Sequence, residues 1–442
     1  MWLDTLLAFL GIVVVWKVTN CKVFPSPQLT LLVGYLLYYY VGVIINHDEP
    51  YLRDSEYFDN LVWLTRSGFL AIFIASVITS RWQSLNFEYY YNQYKQEPDI
   101  AEEWLGPHLI PLSILMLALV VLYLLIIPVQ PLIIMFTDPS NLIYAREAAT
   151  VGLSSFAFFS NFFYDFMPLI WVMLFLTGRV KWAYFLLFAN LIVLLSTGQK
   201  SPVVYVLIVF LCTTGFLRGN FNYAKTFRLF LFAFFILVAI VYIQNAHLFS
   251  GLDLESISSS MDGLIRRTFF VGPDSVVGYL STFPDYHPFI IDSQTDVPPD
   301  KIVYQKVYGL DVEGTMNSNS LAFFYGWYGD KHIASVLYFS VIMLFFMTPF
   351  LLSFLKAPKT LSVAIFLLFY LLIVKFNITD WYTIYFVFIL PFMVINGLLI
   401  LTKFTLNLGS GTISYSTTYF SVVVSVLMLL YFLQGKVKGL LS

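Results

Sequence analysis

The sequence predicts an all-α polytopic membrane protein, and three observations carry that class. Charged residues make up 11% of the 442 residues and hydrophobic ones 59%, where a soluble domain has about 25% charged residues. Apolar runs near the 20 or so residues that a helix needs to cross a bilayer recur about twelve times. The bases between the runs sort to one side. Aromatic residues at 19% exclude a disordered chain, and a net charge of −2 gives no electrostatic footprint for nucleic acid. Cys21 and Cys212 are too few, and too apolar in context, for a disulfide framework or a metal site.

In chain order the runs are 2–18, 29–45, 61–79, 108–127, 153–176, 182–197, 202–217, 228–245, 334–355, 361–376, 382–401 and 414–433. The first lacks the basic start and small-residue cleavage site of a signal peptide, and Trp2 and Asp4 stand at its beginning, so it reads as a crossing. Five connections hold bases and no acids: Lys17/Lys22, Arg179/Lys181, Arg218/Lys225/Arg228, Lys356/Lys359 and Lys403. All five fall on one side if every run crosses once, which makes that side cytoplasmic and puts both termini outside. The connection 80–107 falls inside as well, although it holds five acids against Arg81 and Lys95; acids weigh little in the rule.

Three segments follow from this count: 1–245 with eight crossings, a large outer loop at 246–333 with interfacial helices, and 334–442 with four more crossings. Within the first, residues 128–152 form a smaller outer loop. Helix-to-helix connections need only a few residues, so a loop as long as 246–333 points to function on the outer face.

The cationic centre of the large loop is Arg266-Arg267, in MDGLIRRTFFVGPDSVVGYL, which reads as a short interfacial helix ended by Gly272-Pro273. A guanidinium fork matches a phosphate bidentately and always carries its charge. Snorkelling to lipid headgroups, or salt bridges to nearby acids, is the plainer use of the same residues. Arg146 precedes Glu147 at a helix start, where a cation opposes the helix dipole and needs an anion, either that glutamate or a phosphate. The turn Ser196–Pro202 places Gln199 and Lys200 at the outer boundary, as a phosphate cradle or simply a tight polar hairpin. It lacks the spacing and preceding strand of a Walker loop.

Acid–base candidates are His287 beside Asp285, Glu313 ahead of a polar run, and Glu147, each equally an ordinary loop residue. Asp-x-Glu pairs recur at Asp54/Glu56, Asp253/Glu255 and Asp311/Glu313, a weak signal for a divalent metal. Charges inside the runs are few, Arg66, Asp165 and Lys375, and each stands singly in its run. That pattern weakens a transporter or flippase, which shows paired midplane charges and repeat symmetry.

Four pieces of the sequence resemble bacterial O-antigen polymerases of the Wzy type. They are YAREAATVG, TGQKSPVVYVLIVF, LIRRTFFVGPDSVVG and MNSNSLAFFYGWYG, taken in the family's order and at its topological places. The family's Arg-x10-Gly pattern fits from Arg267 to Gly278; from Arg146 the corresponding position is Ala157. The resemblance implies an architecture like the C-type integral-membrane glycosyltransferases and a place in the bacterial inner membrane, with the active site facing the periplasm. It implies undecaprenyl-diphosphate-linked oligosaccharides as donor and acceptor, a chain-length regulator as partner, and no cofactor or metal. On that reading Arg146, Arg266 and Arg267, with Lys200 and Gln199, hold the diphosphate. Glu313, Glu147 or His287 takes the acceptor proton, and Asn317, Asn319, Tyr279 and Trp327 contact sugars. Tyr286 and Tyr325 are further aromatic candidates, for stacking or for an interfacial belt. An O-antigen ligase would share the donor and use a different acceptor, and stays open beside the transporter.

Overall fold

The computed structural model describes residues 2–20, 23–45, 57–96, 100–127, 130–138, 167–196, 201–228, 271–293, 297–309, 318–354 and 359–377, with a few single positions between. Every regular element among the described residues is helical, with no strand. The first run is α1 (Trp2–Val18). The second is α2 (Pro27–Tyr35), a π-helical turn over Leu36–Tyr40, and α3 (Val41–Ile45). Then come α4 (Phe58–Ile78), α5 (Phe87–Lys95), α6 (Ile100–Ile126), α7 (Pro131–Thr137), α8 (Met167–Leu176), α9 (Val180–Ser196) and α10 (Ser201–Arg218). The later part holds α11 (Val271–Thr282), α12 (Pro299–Tyr308), α13 (Ser320–Tyr328), α14 (Lys331–Phe354) and α15 (Lys359–Phe376). The expected runs 382–401 and 414–433, residues 153–166 and most of 228–245 lie outside the described residues.

Phe58–Arg81, Lys331–Pro349 and Lys359–Phe376 are long and apolar enough to cross a membrane, and shorter apolar helices lie at Leu109–Leu125, Met167–Leu176, Val180–Ser196 and Val203–Arg218. Their neighbours and their own outer faces carry large apolar side chains away from the packed interior: Phe9 is 61% exposed, Phe188 64% and Leu125 77%. Water would penalise so much open apolar surface, while hydrocarbon does not. The described chain is therefore a helical membrane protein in composition and in build.

The chain divides into two compact units. The first comprises Met1–Asn86, Met261–Thr348 and Leu372–Tyr385. In it, α2 starts where Ser26 accepts from the Leu29 N–H (3.1 Å) and Pro27, which has no N–H to satisfy, takes the first helical position. Contacts along α2 and α4 give their sense. Gln28 donates to the Thr79 carbonyl (3.2 Å) at one end, and Tyr35 donates to the Thr65 carbonyl (3.1 Å) further along. The two helices are thus antiparallel, as a chain that threads back and forth requires. Gly68 lets the Tyr35 ring reach α4, because a Cβ there would strike the tyrosine hydroxyl. Helices in lipid gain little from burying apolar surface, so such close approaches supply much of their attraction.

The π turn fans its tyrosines toward different partners. Tyr39 donates to the Asn377 carbonyl (2.7 Å), and Tyr40 reaches Asp4 (3.3 Å). Asp4 in turn accepts two bonds from Arg66, from Nε at 2.9 Å and Nη2 at 2.8 Å. Arg66, single in its own run, is thus paired across helices. The Arg66 side chain is 56% exposed, so the pair lies partly open and its worth is reduced accordingly. Asp4→Asn and Arg66→Gln are each expected to destabilise the protein, and the double variant little further. A double-mutant cycle on thermal unfolding in detergent should give a coupling of about 0.5–1.5 kcal/mol.

The second unit comprises Phe87–Ser260, Pro349–Leu371 and Phe386–Ser442. All ten residues of α8 are buried, so this helix is apolar on every side and central to its unit. The hairpin from α8 to α9 turns at Gly178, whose φ of +74° is the left-handed conformation that ends a helix, while the Arg179 N–H bonds the Leu174 carbonyl (2.8 Å). Across that hairpin the Trp171 indole N–H points at Asn190 (3.4 Å). Residues Phe87, Tyr91 and Tyr94 of α5 surround Phe216 of α10 with ring centroids 5.4, 5.7 and 5.6 Å away. Helix α6 begins at Ile100, ahead of the 108 expected, since apolarity marks only the part of a helix suited to hydrocarbon.

Candidate functional site

The described part of the large loop is a layer of three helices, α11, α12 and α13, with a 3₁₀ turn at Ile290–Asp292. Phe283 and Tyr279, 0% and 1% exposed, form its core with Ile302 and Val303. Gly326 of α13 allows the approach: a Cβ there would sit 3.1 Å from the Phe283 ring and 3.2 Å from that of Tyr279. Phe289 stacks on Phe283 (centroids 6.1 Å) and meets Tyr325 edge-on (5.7 Å). The connection after α11 is pinned to its last turn, with the Tyr286 and His287 N–H groups bonding the Thr282 carbonyl at 2.9 and 3.0 Å.

Gly272-Pro273, expected to end a helix, instead lies in the first turn of α11. Proline is well accommodated there because the first amides of a helix have no internal partner to lose.

Of the residues singled out from sequence, Arg146, Glu147, Gln199, Lys200, Arg266, Arg267, Glu313 and Asn317 lie outside the described residues. Asn319 is 2% exposed and caps α13, its side-chain oxygen accepting from the Ala322 N–H (2.9 Å). Tyr279 is held in the core. The fold thus gives each of them a structural task. Trp327 is half-buried beside Phe323 (centroids 6.3 Å), and its indole N–H meets no acceptor among the described residues. Asn319→Ala is expected to cost about 1 kcal/mol of stability and Asn319→Ser almost none, read as thermal midpoints in detergent, since serine caps as well as asparagine.

His287 is the acid–base candidate that the structure describes. Its Nδ1 lies 2.6 Å from the Pro288 carbonyl, and a carbonyl has no hydrogen to give, so Nδ1 carries the proton. In the neutral ring Nε2 is then the bare, proton-accepting nitrogen. The Phe283 ring meets the imidazole edge-on at 5.9 Å.

Two residues earlier, the exposed Asp285 accepts from the Tyr57 hydroxyl at Oδ2 (2.8 Å). Lys306 of α12 donates to the Ser281 carbonyl, and its ammonium lies 5.6 Å from the centroid of the Tyr286 ring. Partial burial lowers the Lys306 pKa, with Asp285 opposing the shift. Burial, reinforced by Asp285, raises that of Tyr325. At the start of α14, Asp330 accepts from the Ile333 and His332 N–H groups (3.0 and 2.6 Å), which holds its carboxyl below the ordinary range. No group of three or more metal-ligating side chains occurs among the described residues.

No protein-family profile matches the sequence, and no curated protein or solved structure matches it.

Proposed function

We propose that the protein is an O-antigen polymerase, a glycosyltransferase of the bacterial inner membrane that joins undecaprenyl-diphosphate-linked repeat units on the periplasmic face. The observation that carries this reading is the ordered set of sequence pieces around Arg146, Lys200, Arg267 and Asn317 that resemble that family. A helical membrane body with apolar outer surfaces agrees with it. On this reading the chain crosses the membrane about twelve times, has a C-type glycosyltransferase-like architecture and works with a chain-length regulator.

The reaction makes modest chemical demands. An acceptor hydroxyl oxygen bonds to the anomeric carbon of the growing chain as the bond from that carbon to the diphosphate oxygen breaks. The electron pair leaves with the diphosphate, and the hydroxyl proton passes to a base. A diphosphate leaves readily, so the protein must stabilise its developing charge and position the acceptor. Arg146, Arg266 and Arg267, with Lys200 and Gln199, take the first task. His287 suits the proton transfer, because its other ring nitrogen is already engaged by a carbonyl.

Purified protein in detergent, supplied with lipid-linked repeat units, is expected to elongate them. Failure to do so, with transfer to a lipid A–core acceptor instead, would mark a ligase.

A further inference from the structure

We propose that Asp285, Tyr286 and Lys306, steadied by Tyr57, form a binding site for neutral sugar units. This rests on the polymerase reading for its place in the reaction, and on the geometry of the turn for its chemistry. Three features point to a saccharide.

The first is an open carboxylate. Oδ2 of Asp285 accepts from Tyr57, while Oδ1 has no hydrogen-bond partner among the described residues. An ionised carboxylate offers about four lone-pair sites, so it can take further hydroxyl donors such as those of a pyranose. The second is an exposed ring beside it. Tyr286 is 52% exposed, and the electron-rich face of an aromatic ring suits the C–H face of a sugar. Lys306 steadies that ring from α12 and is held by the Ser281 carbonyl; an ammonium has three donors, so further ones remain for hydroxyl oxygens. The third is the balance of charge. One carboxylate stands near one ammonium that is already bonded to a carbonyl, a balanced arrangement with no excess positive charge to draw a phosphate, which suits an uncharged, hydroxyl-rich ligand. It differs in kind from the three arginines assigned to the diphosphate, Arg146, Arg266 and Arg267.

The site is also rigid. The turn is tied to the Thr282 carbonyl by two amides and anchored by the fully buried Phe283, so little ordering entropy is lost on binding.

The test is titration of the full-length protein in detergent with maltotriose, mannotriose, chitotriose and the repeat-unit oligosaccharides freed by mild acid from the source cell's lipids. Saturation-transfer NMR reports the contact. At least one probe is expected to bind, with affinity falling about tenfold in Tyr286→Ala and in Asp285→Asn, and staying within about threefold in Tyr286→Phe. Both residues are exposed, so the variants should fold, which gel filtration checks. Binding that is equal in wild type and both loss variants, or absent for every probe, overturns the site. The polymerase reading is judged separately by polymer in cells: a ladder that persists after deletion of the gene overturns that reading, while the titration still decides the sugar site.

Discussion

Cells carrying Arg267→Ala are expected to lose the long polymer ladder of their lipopolysaccharide while the protein stays at its normal level in the membrane. Arg146→Ala should do the same. The size of the effect follows from what each arginine is asked to supply. On the proposed polymerase reading, charge builds on the departing diphosphate where water is scarce, and loss of one preorganised donor in such a site costs about 10²–10³ in rate. A polymerase slowed that far would add few units before its substrates are diverted, so on this proposal the ladder collapses toward single repeats. Lysine should restore little at either position, because a point charge does not reproduce a two-bond fork. A full-length ladder from both alanine variants, at matched protein levels, would remove the arginines from the reaction.

Elements decided by composition were the easiest to read from the sequence. α1, α4, α9, α10, α14 and α15 all begin and end close to the apolar runs that announce them, because hydrocarbon selects side chains strongly and continuously along a crossing. Features decided by contacts between distant residues left little local mark. The Arg66–Asp4 pair joins positions 62 apart, and in the sequence Arg66 stands as a single charge in its run. Asp285 was one acid among many in an acidic loop, and its bond to Tyr57 spans 228 positions. The usable hint was local after all: an aspartate set between Phe283-Pro284 and Tyr286-His287 is unusual company for a merely solvated charge. Asn319 is ambiguous in sequence for a related reason. An asparagine before an apolar run is equally a helix cap, and Ser320–Tyr328 is the helix it caps.

The packing of α11 gives the second large effect. Gly272→Ala is expected to destabilise the first unit by about 2 kcal/mol and to shorten the ladder with it. Two opposing contributions decide the sign. Alanine is the better helix former by about 1 kcal/mol, which alone would favour the change. Against this, a Cβ at 272 would collide with the carbonyl oxygen of Tyr38 and crowd its ring. The oxygen belongs to the π turn and cannot swing aside as a side chain would, so α11 must shift bodily; overpacking against backbone falls at the upper end of the usual range, about 3 kcal/mol, which the helix propensity of alanine reduces to the net loss expected. A shift would also strain Ser275, which donates to the Gly272 carbonyl (2.6 Å) and accepts from the Ser318 hydroxyl (3.0 Å) ahead of α13. Gly178→Ala is the comparison. Open space surrounds that glycine, and only its φ of +74° opposes a side chain, for about 1 kcal/mol. Thermal midpoints in detergent should therefore fall further for Gly272→Ala than for Gly178→Ala. If Gly272→Ala were as stable as wild type, α11 would not pack on the π turn, and the stretch that directly follows Arg266 and Arg267 in the chain would have no fixed support.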